Sequence, residues 1–436
     1  MKQCPTQAEL LEAKPGDILV WDYRPPDAIA GVSATPRALV DVPLRTAQWN
    51  IERGYKLPLI LQTLKRIDAD VITLQELDIG CERSDFADVA DEIAKTLSAQ
   101  LVFAVEFEEF DCPSRSHENR CGQQKERGMK ALHGNAIVSK HFSLNRPTLV
   151  EHSWRLDWDK AGTHFKEPRT GFRSFLRCEI EAGTSSNQAY QPMHLFAIYT
   201  LHLEIFHCGP LSRARQLGDA LHDATTLLEK TKLLSPSTTF HVFIGGDLNT
   251  IGHSIVRCSG KYNAQKRMRF LSIGENESTW LQRKVLSRNI PGETSLLQQW
   301  VTNSDWLWKY LYSFSTEDLQ RIRNTSLFMW DPFNKYADTT MNNPLYHGLV
   351  QGKLDWSLFS NVIVQRTSLE NNDYSESDHK LLVVDIVLPF GTTAKETYVP
   401  WKRHFVGEFL PYFVTRVAAI AALCYLISRN AAAATR

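Results

Sequence analysis

The chain has 436 residues, 43% of them hydrophobic, and carries 49 Lys plus Arg against 49 Asp plus Glu. That length supports a sizeable core in one large domain or two ordinary ones, and the neutral balance argues against a tight, non-specific DNA binder, which needs a basic excess. The eight cysteines contain no C-x-x-C pair; they read as reduced thiols in a reducing compartment, and no neighbouring Cys/His set completes a zinc site.

Residues 1–43 are proline-rich and read as an irregular extension. From Leu44 the pattern alternates. A strand is expected over 45–50, then a helix over 57–67 with apolar residues at 57, 60, 61, 64 and 67. A buried strand over 71–74 ends in Gln75-Glu76; a second helix over 86–97 and a strand over 101–107 follow. After a polar loop at 111–130, a strand resumes at 135–138. Residues 173–181 and 193–203 read as paired strands about a turn at 183–191. A helix is expected over 211–228, and a strand over 241–244 carries Asp247 on its end. Residues 250–352 form a long insertion, with a basic stretch from Lys261 to Arg269 and a tryptophan-rich helix candidate over 305–312. Strands over 353–360 and 380–388 close the set. The alternation predicts an α/β fold of two sheets face to face with helices outside, in a domain over 44–390.

No apolar h-region opens the chain, so no signal peptide is expected and the protein reads as intracellular. In the tail, 391–436, the mostly apolar stretch 409–428 is just long enough to span a bilayer. Arg416 within it would cost about 2.5–3.5 kcal/mol at a helix centre, but it lies near one end of the densest apolar run and can snorkel. The stretch is a candidate membrane anchor that would leave the catalytic domain facing the cytosol. An amphipathic or packed terminal helix is the alternative.

Acidic, amide and histidine motifs end successive apolar runs: Trp49-Asn50-Ile51-Glu52, Leu74-Gln75-Glu76-Leu77, His133-Gly134-Asn135-Ala136, Leu201-His202-Leu203-Glu204, Gly246-Asp247-Leu248-Asn249, Lys353-Leu354-Asp355-Trp356 and Ser377-Asp378-His379-Lys380. Hard oxygen donors with histidines suit magnesium-assisted attack on a phosphate ester. A carboxylate such as Glu76 after an apolar strand is poorly solvated unless it holds a cation; taken alone, it reads equally as a helix cap. Gly245 and Gly246 would let the backbone turn sharply and approach a phosphate. Asp247 is placed to orient or deprotonate an attacking water, and Asn249 to donate to a phosphoryl oxygen, against the plainer reading of an Asx-turn. In Asp378-His379 one side chain can meet a metal while the other meets the phosphate, and Asp355 can fix the tautomer of His379. His202 would be a second imidazole at the phosphate. Asn50 and Asn135 can orient the metal-binding carboxylate or the phosphate. Arg169 and Arg173 are candidate phosphate clamps, with solvated surface arginines as the alternative.

As an ordered set these residues resemble the endonuclease/exonuclease/phosphatase superfamily, of DNase I-like fold, over about residues 44–390. The resemblance implies a four-layer α/β sandwich of two mixed β-sheets. It implies that Glu76 binds magnesium, or manganese in its place, helped by Asn50 and Asp378. It further implies that Asp247 and Asn249 position water and phosphate, that His202 and His379 stabilise the pentavalent charge, and that Asp355 orients His379. The expected activity is metal-dependent phosphoester hydrolysis of phosphodiesterase or nuclease type. Cleavage of a phospholipid or sphingomyelin head group at a membrane, or a catalytically inactive scaffold, are the alternatives. The expected partners are the phosphoester substrate itself, nucleic acid or phospholipid, and a membrane through the tail; no obligate protein partner is evident.

Overall fold

Buried strands dominate the fold and divide between two mixed sheets. The computed structural model describes residues 4–25, 43–112, 123–124, 126–182, 194–205, 208–250, 314–323, 327–333, 339–342 and 351–389, with isolated positions at 277–278, 281, 285–286, 309, 418, 421 and 425. The first sheet holds β1 (Ile18–Asp22), β2 (Leu44–Arg53), β3 (Val71–Ile79), β4 (Gln100–Glu109), β5 (Leu132–Ser139), β7 (Arg169–Gly171), β14 (Ile363–Glu370) and β15 (Leu381–Val387). Its order is β1-β4-β5-β3-β2-β15-β14, with β7 paired to β4. The second holds β6 (Asn145–Glu151), β8 (Ser174–Ala182), β9 (His194–His202), β10 (Thr239–Asp247) and β13 (Asp355–Ser360), in the order β13-β10-β9-β8-β6. A small ribbon pairs β11 (Met341–Asn342) with β12 (Gln351–Gly352). The helices are α1 (Gln7–Glu12), α2 (Leu57–Ile67), α3 (Val89–Leu97), α4 (Trp158–Phe165), α5 (Pro210–Leu234) and α6 (Thr316–Arg323).

Three apolar layers make this a four-layer sandwich. Between the sheets lie Val71, Val102, Ile137, Leu176, Phe196, Ile198, Phe243, Phe359 and Leu382. The outer face of the first sheet packs on α2 and α3 through residues such as Leu74, Ile60, Leu64 and Ile93. Both helices show why they form there. Ile60, Thr63, Leu64 and Ile67 fall on one buried face of α2, which ends at Asp68 in the left-handed region (φ 52°). Asp88 caps α3 by accepting from Asp91 N. The outer face of the second sheet packs on α5, and Phe314, Leu319, Ile322, Leu281 and Val285 of the insertion join that layer.

Strand direction decides where chemistry collects. β2 and β3 run parallel, as do β9 and β10, so Asn50, Glu76, His202 and Asp247 arrive at one edge of the sandwich. β13 and β15 run antiparallel to these pairs and begin at the same edge, bringing Asp355 opposite Asp247 and His379 just ahead of Leu381.

Several expectations change. Residues 18–22 are not irregular: β1 pairs antiparallel with β4, its Leu19 and Trp21 buried, and the surrounding prolines hide that short alternation. The second helix starts at Val89 rather than Phe86, because Asp85 and Phe86 both have positive φ. Asn135 lies mid-strand in β5 instead of at a strand end. The strands β6 and β14, mostly exposed or half-buried along their length, and the short helix α4, which buries only Trp158 and Gly162, are additions to the expected elements. One part of the described insertion docks on α5, where Arg213 forms a buried ion pair with Glu277 at 2.7 Å, and another lies along β13, where Trp330 pairs with Phe359. The basic stretch 261–269, all but one position of 305–312, and 409–428 apart from positions 418, 421 and 425 lie outside the described residues. Among the described residues no helix is long and apolar enough to cross a membrane, and Cys4, Cys178 and Cys208 are unbridged thiols.

Gly245 and Gly246 do not turn the chain; both stay inside β10. A Cβ on Gly245 would lie 2.1 Å from Thr73 Oγ1 and 3.1 Å from Gln48 Cγ, both of the facing sheet. This glycine is needed for the close approach of the two sheets behind the strand ends. Gly245→Ala should lower unfolding stability by about 1–3 kcal/mol, the usual range for overpacking; a denaturant titration matching wild type would contradict this.

Candidate active site

Asp247 sits at the centre of the converging groups. Its Oδ2 accepts from Asn50 Nδ2 at 3.1 Å and lies 3.4 Å from His202 Nε2 and 3.8 Å from His379 Nε2. Its Oδ1 accepts from Asn249 N at 2.8 Å, closing an Asx-turn in which Asn249 has a φ of 51°. The Asn249 amide donates to Leu203 O at 2.8 Å, so this side chain pins the loops after β9 and β10 together. That plainer reading is what the geometry displays. Burial pushes the Asp247 carboxyl up to about 6, with Asp355 adding to the effect and His379 opposing it.

His379 is held from several sides. Its Nδ1 donates to Asp355 Oδ2 at 2.8 Å, and Gln48 Nε2 donates to the other Asp355 oxygen at 3.2 Å. Its carbonyl accepts from Trp49 Nε1 at 3.0 Å and from Asn371 Nδ2 at 2.7 Å. Burial works against the imidazolium, yet Asp355, Asp378 and Asp247 hold its pKa well above the usual histidine value. Thr340, from the insertion, was not singled out in the sequence. Its Oγ1 accepts from Leu354 N at 2.9 Å and Asp355 N at 3.0 Å, while its carbonyl accepts from Lys380 N at 2.8 Å. One insertion residue thus braces both members of the acid–imidazole pair. No motif signals it, because backbone donors alone recognise it.

Glu76 forms the other wall. It sits at a β-bulge with a φ of 57°, and Asn135 Oδ1 accepts from its backbone N at 3.4 Å. Asn135 therefore supports the backbone of Glu76. The Glu76 carboxylate accepts from Asn50 Nδ2 at 3.2 Å and lies 3.8 Å from His202 Nε2. Burial works against its charge, yet Arg53, 3.9 Å away, helps hold its pKa well below the usual carboxylate range. Asp378 stands at the rim, partly exposed, with an oxygen 3.8 Å from His379 Nε2. Glu52 is an addition to the expected set: its Oε2 accepts from Asp378 N at 3.2 Å. Its place in the Trp49–Glu52 motif was the available signal. Asn50 Oδ1 accepts from Glu52 N at 3.0 Å.

The two candidate clamps are a correction. Arg169 and Arg173 are buried, neither reaching out as a surface residue nor standing free for a phosphate. Arg169 pairs with Glu167 and Glu109 and stacks over Trp158 at 4.4 Å. Arg173 donates to Glu106 Oε2 at 2.8 Å and lies 2.9 Å from His202 Nδ1, behind the imidazole. Interior carboxylates capture both guanidiniums, which local sequence does not reveal.

The sequence matches the Endonuclease/Exonuclease/phosphatase family over residues 47–379. The chain belongs to this family. Members of the endonuclease/exonuclease/phosphatase family are phosphoester hydrolases, and this member brings Asn50, Glu76, His202, Asp247, Asp355 and His379 to one edge of the sandwich. Among solved structures, the human Nocturnin catalytic domain with bound sulfate is 14% identical, with 86% of this chain and 99% of that chain covered and a TM-score of 0.40. ANGEL2, a 2′,3′-cyclic phosphatase, in complex with adenosine-2′,3′-vanadate is 13% identical, with 79% and 95% covered and a TM-score of 0.42. Truncated Caenorhabditis elegans TDP2 is 14% identical, with 80% and 99% covered and a TM-score of 0.38. Likeness at this level carries nothing about substrate. Comparison with curated proteins gave no match.

The donor set fits a divalent cation. Asp247, Asp355 and His379 offer ligand atoms within 4.8 Å of one another. Asp355 and His379 Nδ1 are already committed to each other, so this trio is a weaker cradle than its spacing implies. The carboxylates Glu52, Glu76 and Asp378 form a second acidic face of the cleft. Burial, then Asp378, pushes Glu52 up to about 7, with Lys56 opposing. Negative charge is in surplus there, as a cation site requires.

This surplus has a sign. With a folded pKa of about 7 against an ordinary 4.5, native Glu52 holds its proton more tightly than the unfolded chain does. Its contribution to stability is therefore present at low pH and lost as pH rises between those values. In chelator, Glu52→Gln should melt above wild type at pH near 8 and together with it at pH near 4. Coincident melts at both pH values would show that Glu52 feels no such crowding.

Proposed function

We propose that this chain is a magnesium-dependent phosphoester hydrolase of phosphodiesterase or nuclease type, acting by in-line attack of an activated water. The observation that carries this reading is the position of Asp247 Oδ2, within 3.4 Å of His202 Nε2, 3.8 Å of His379 Nε2 and 3.1 Å of the Asn50 amide. A carboxylate so placed accepts a proton from water beside two imidazoles that face a bound phosphate. The Asp355 partner favours the imidazolium of His379, which stabilises negative charge as it builds on the phosphoryl oxygens. Magnesium held by Glu76 with Asn50 and Asp378 would neutralise charge on the phosphate and the leaving oxygen, and manganese suits the same donors. Glu76 is kept anionic for that role, and Asn50 fixes its distance from Asp247.

The nuclease reading draws on the family and on the basic stretch in the insertion. A phospholipid or sphingomyelin head-group substrate is the second reading, favoured by the apolar 409–428 stretch. An inactive scaffold of the same fold has no support from the site, because no residue of the expected set has been lost.

A panel of single- and double-stranded nucleic acid, sphingomyelin and inositol phosphates, each assayed with magnesium and with chelator, decides the substrate class. Asp247→Asn and His379→Gln should each reduce kcat by about 100-fold or more while melting near wild type. Full activity in either folded variant would sink the mechanism, and activity unaffected by chelator would sink the role of the metal.

A further inference from the structure

The two cleft imidazoles are held by partners of opposite kind. His379 Nδ1 faces a carboxylate, whereas His202 Nδ1 faces a guanidinium at 2.9 Å. A guanidinium has five N–H donors and no lone pair. Arg173 Nη1 must therefore donate, and His202 Nδ1 must present its lone pair. An imidazolium would set N–H against N–H. The single ring proton is left on Nε2, the nitrogen that faces Asp247 Oδ2 at 3.4 Å and Glu76 Oε1 at 3.8 Å.

Arg173 has little freedom to do otherwise. It is buried, it donates to Glu106 Oε2 at 2.8 Å, and its guanidinium lies 5.2 Å from the centre of the Phe107 ring. Glu106 is itself fully buried and accepts from Ser174 N through its other oxygen at 3.0 Å. The relay Glu106–Arg173–His202 joins β4, the residue just before β8 and the end of β9, so it is anchored in both sheets.

We propose that Arg173 is a positioning residue that fixes His202 as the Nε2–H tautomer, making His202 a neutral hydrogen-bond donor to a phosphoryl oxygen and not the base that takes the water's proton. This rests on the phosphoester reading above and divides the labour of its site. Proton acceptance falls to Asp247, and the cationic contribution to His379. Arg173 acts without touching substrate, and its own charge is balanced by Glu106.

The tautomer is measurable apart from catalysis. Histidine labelled with ¹⁵N in the full chain gives ring signals for 14 histidines, and His202→Gln identifies the pair belonging to His202. Wild type should show a pyridine-type Nδ1 and a pyrrole-type Nε2, with magnesium and with chelator. Arg173→Met should lose this pattern and lower kcat about tenfold or more with KM changed less than about threefold, while Arg173→Lys, which keeps a donor, should restore the pattern and most of the rate. A pyrrole-type Nδ1 in wild type overturns the proposal, as does an Arg173→Met spectrum identical to wild type. If Arg173→Met fails to fold, the wild-type and Arg173→Lys spectra still decide. A wild type that hydrolyses no phosphoester would defeat the proposed function, and the ring signals would still report whether Arg173 sets the tautomer.

Discussion

The whole site depends on how closely the two sheets approach behind the strand ends. Gly245 leaves room there, and a buried polar chain spans the gap. Gln48 Nε2 donates to Gln75 Oε1 at 2.7 Å, and Gln75 Nε2 donates to Thr200 Oγ1 at 2.9 Å, linking β2 and β3 to β9. Buried amides whose N–H groups are committed across such a gap tolerate little displacement, since an unpaired one costs about 1–3 kcal/mol. The same Gln48 nitrogen reaches Asp355, so the register between the sheets also sets the acid that holds His379. Distances of a few ångströms among Asn50, Glu76, His202 and Asp247 follow from that one constraint.

Electrostatics then separates groups that look alike. Asp247 is a buried carboxylate and Glu76 a half-buried one, yet the first is pushed up to about 6 and the second is held low. The difference is that Asp355 crowds the first while Arg53 stands beside the second. His202 and His379 divergence has the same origin, with a guanidinium behind one ring and carboxylates around the other. Environment, more than residue type, assigns acid and base character here.

Much of this was legible in the sequence because strands announce themselves by burial on both faces. The runs at 71–74 and 241–244 are continuous apolar stretches, and the polar residue that ends each one is conspicuous. The order of Asn50, Glu76, His202, Asp247, Asp355 and His379 could be read before any coordinates. What could not be read was which partner each side chain would choose across the fold. Arg169 and Arg173 lie in a charged, turn-like stretch that looks solvated, and only tertiary packing brings Glu106 and Glu109 to them. Thr340 left no trace, since it acts on backbone N–H groups. Trp21 and Leu19 were hidden in a proline-rich segment because a five-residue edge strand offers too few alternations to stand out.

The groups at the cleft are spread from Asn50 to His379, across most of the polypeptide. As the chain is synthesised, Glu76 emerges roughly three hundred residues before His379. Contacts this remote in sequence form late, after the loops between them have closed. The nascent sheets therefore stay incomplete and the cleft groups apart until β15 has paired with β2, and any hydrolytic capacity would switch on only then.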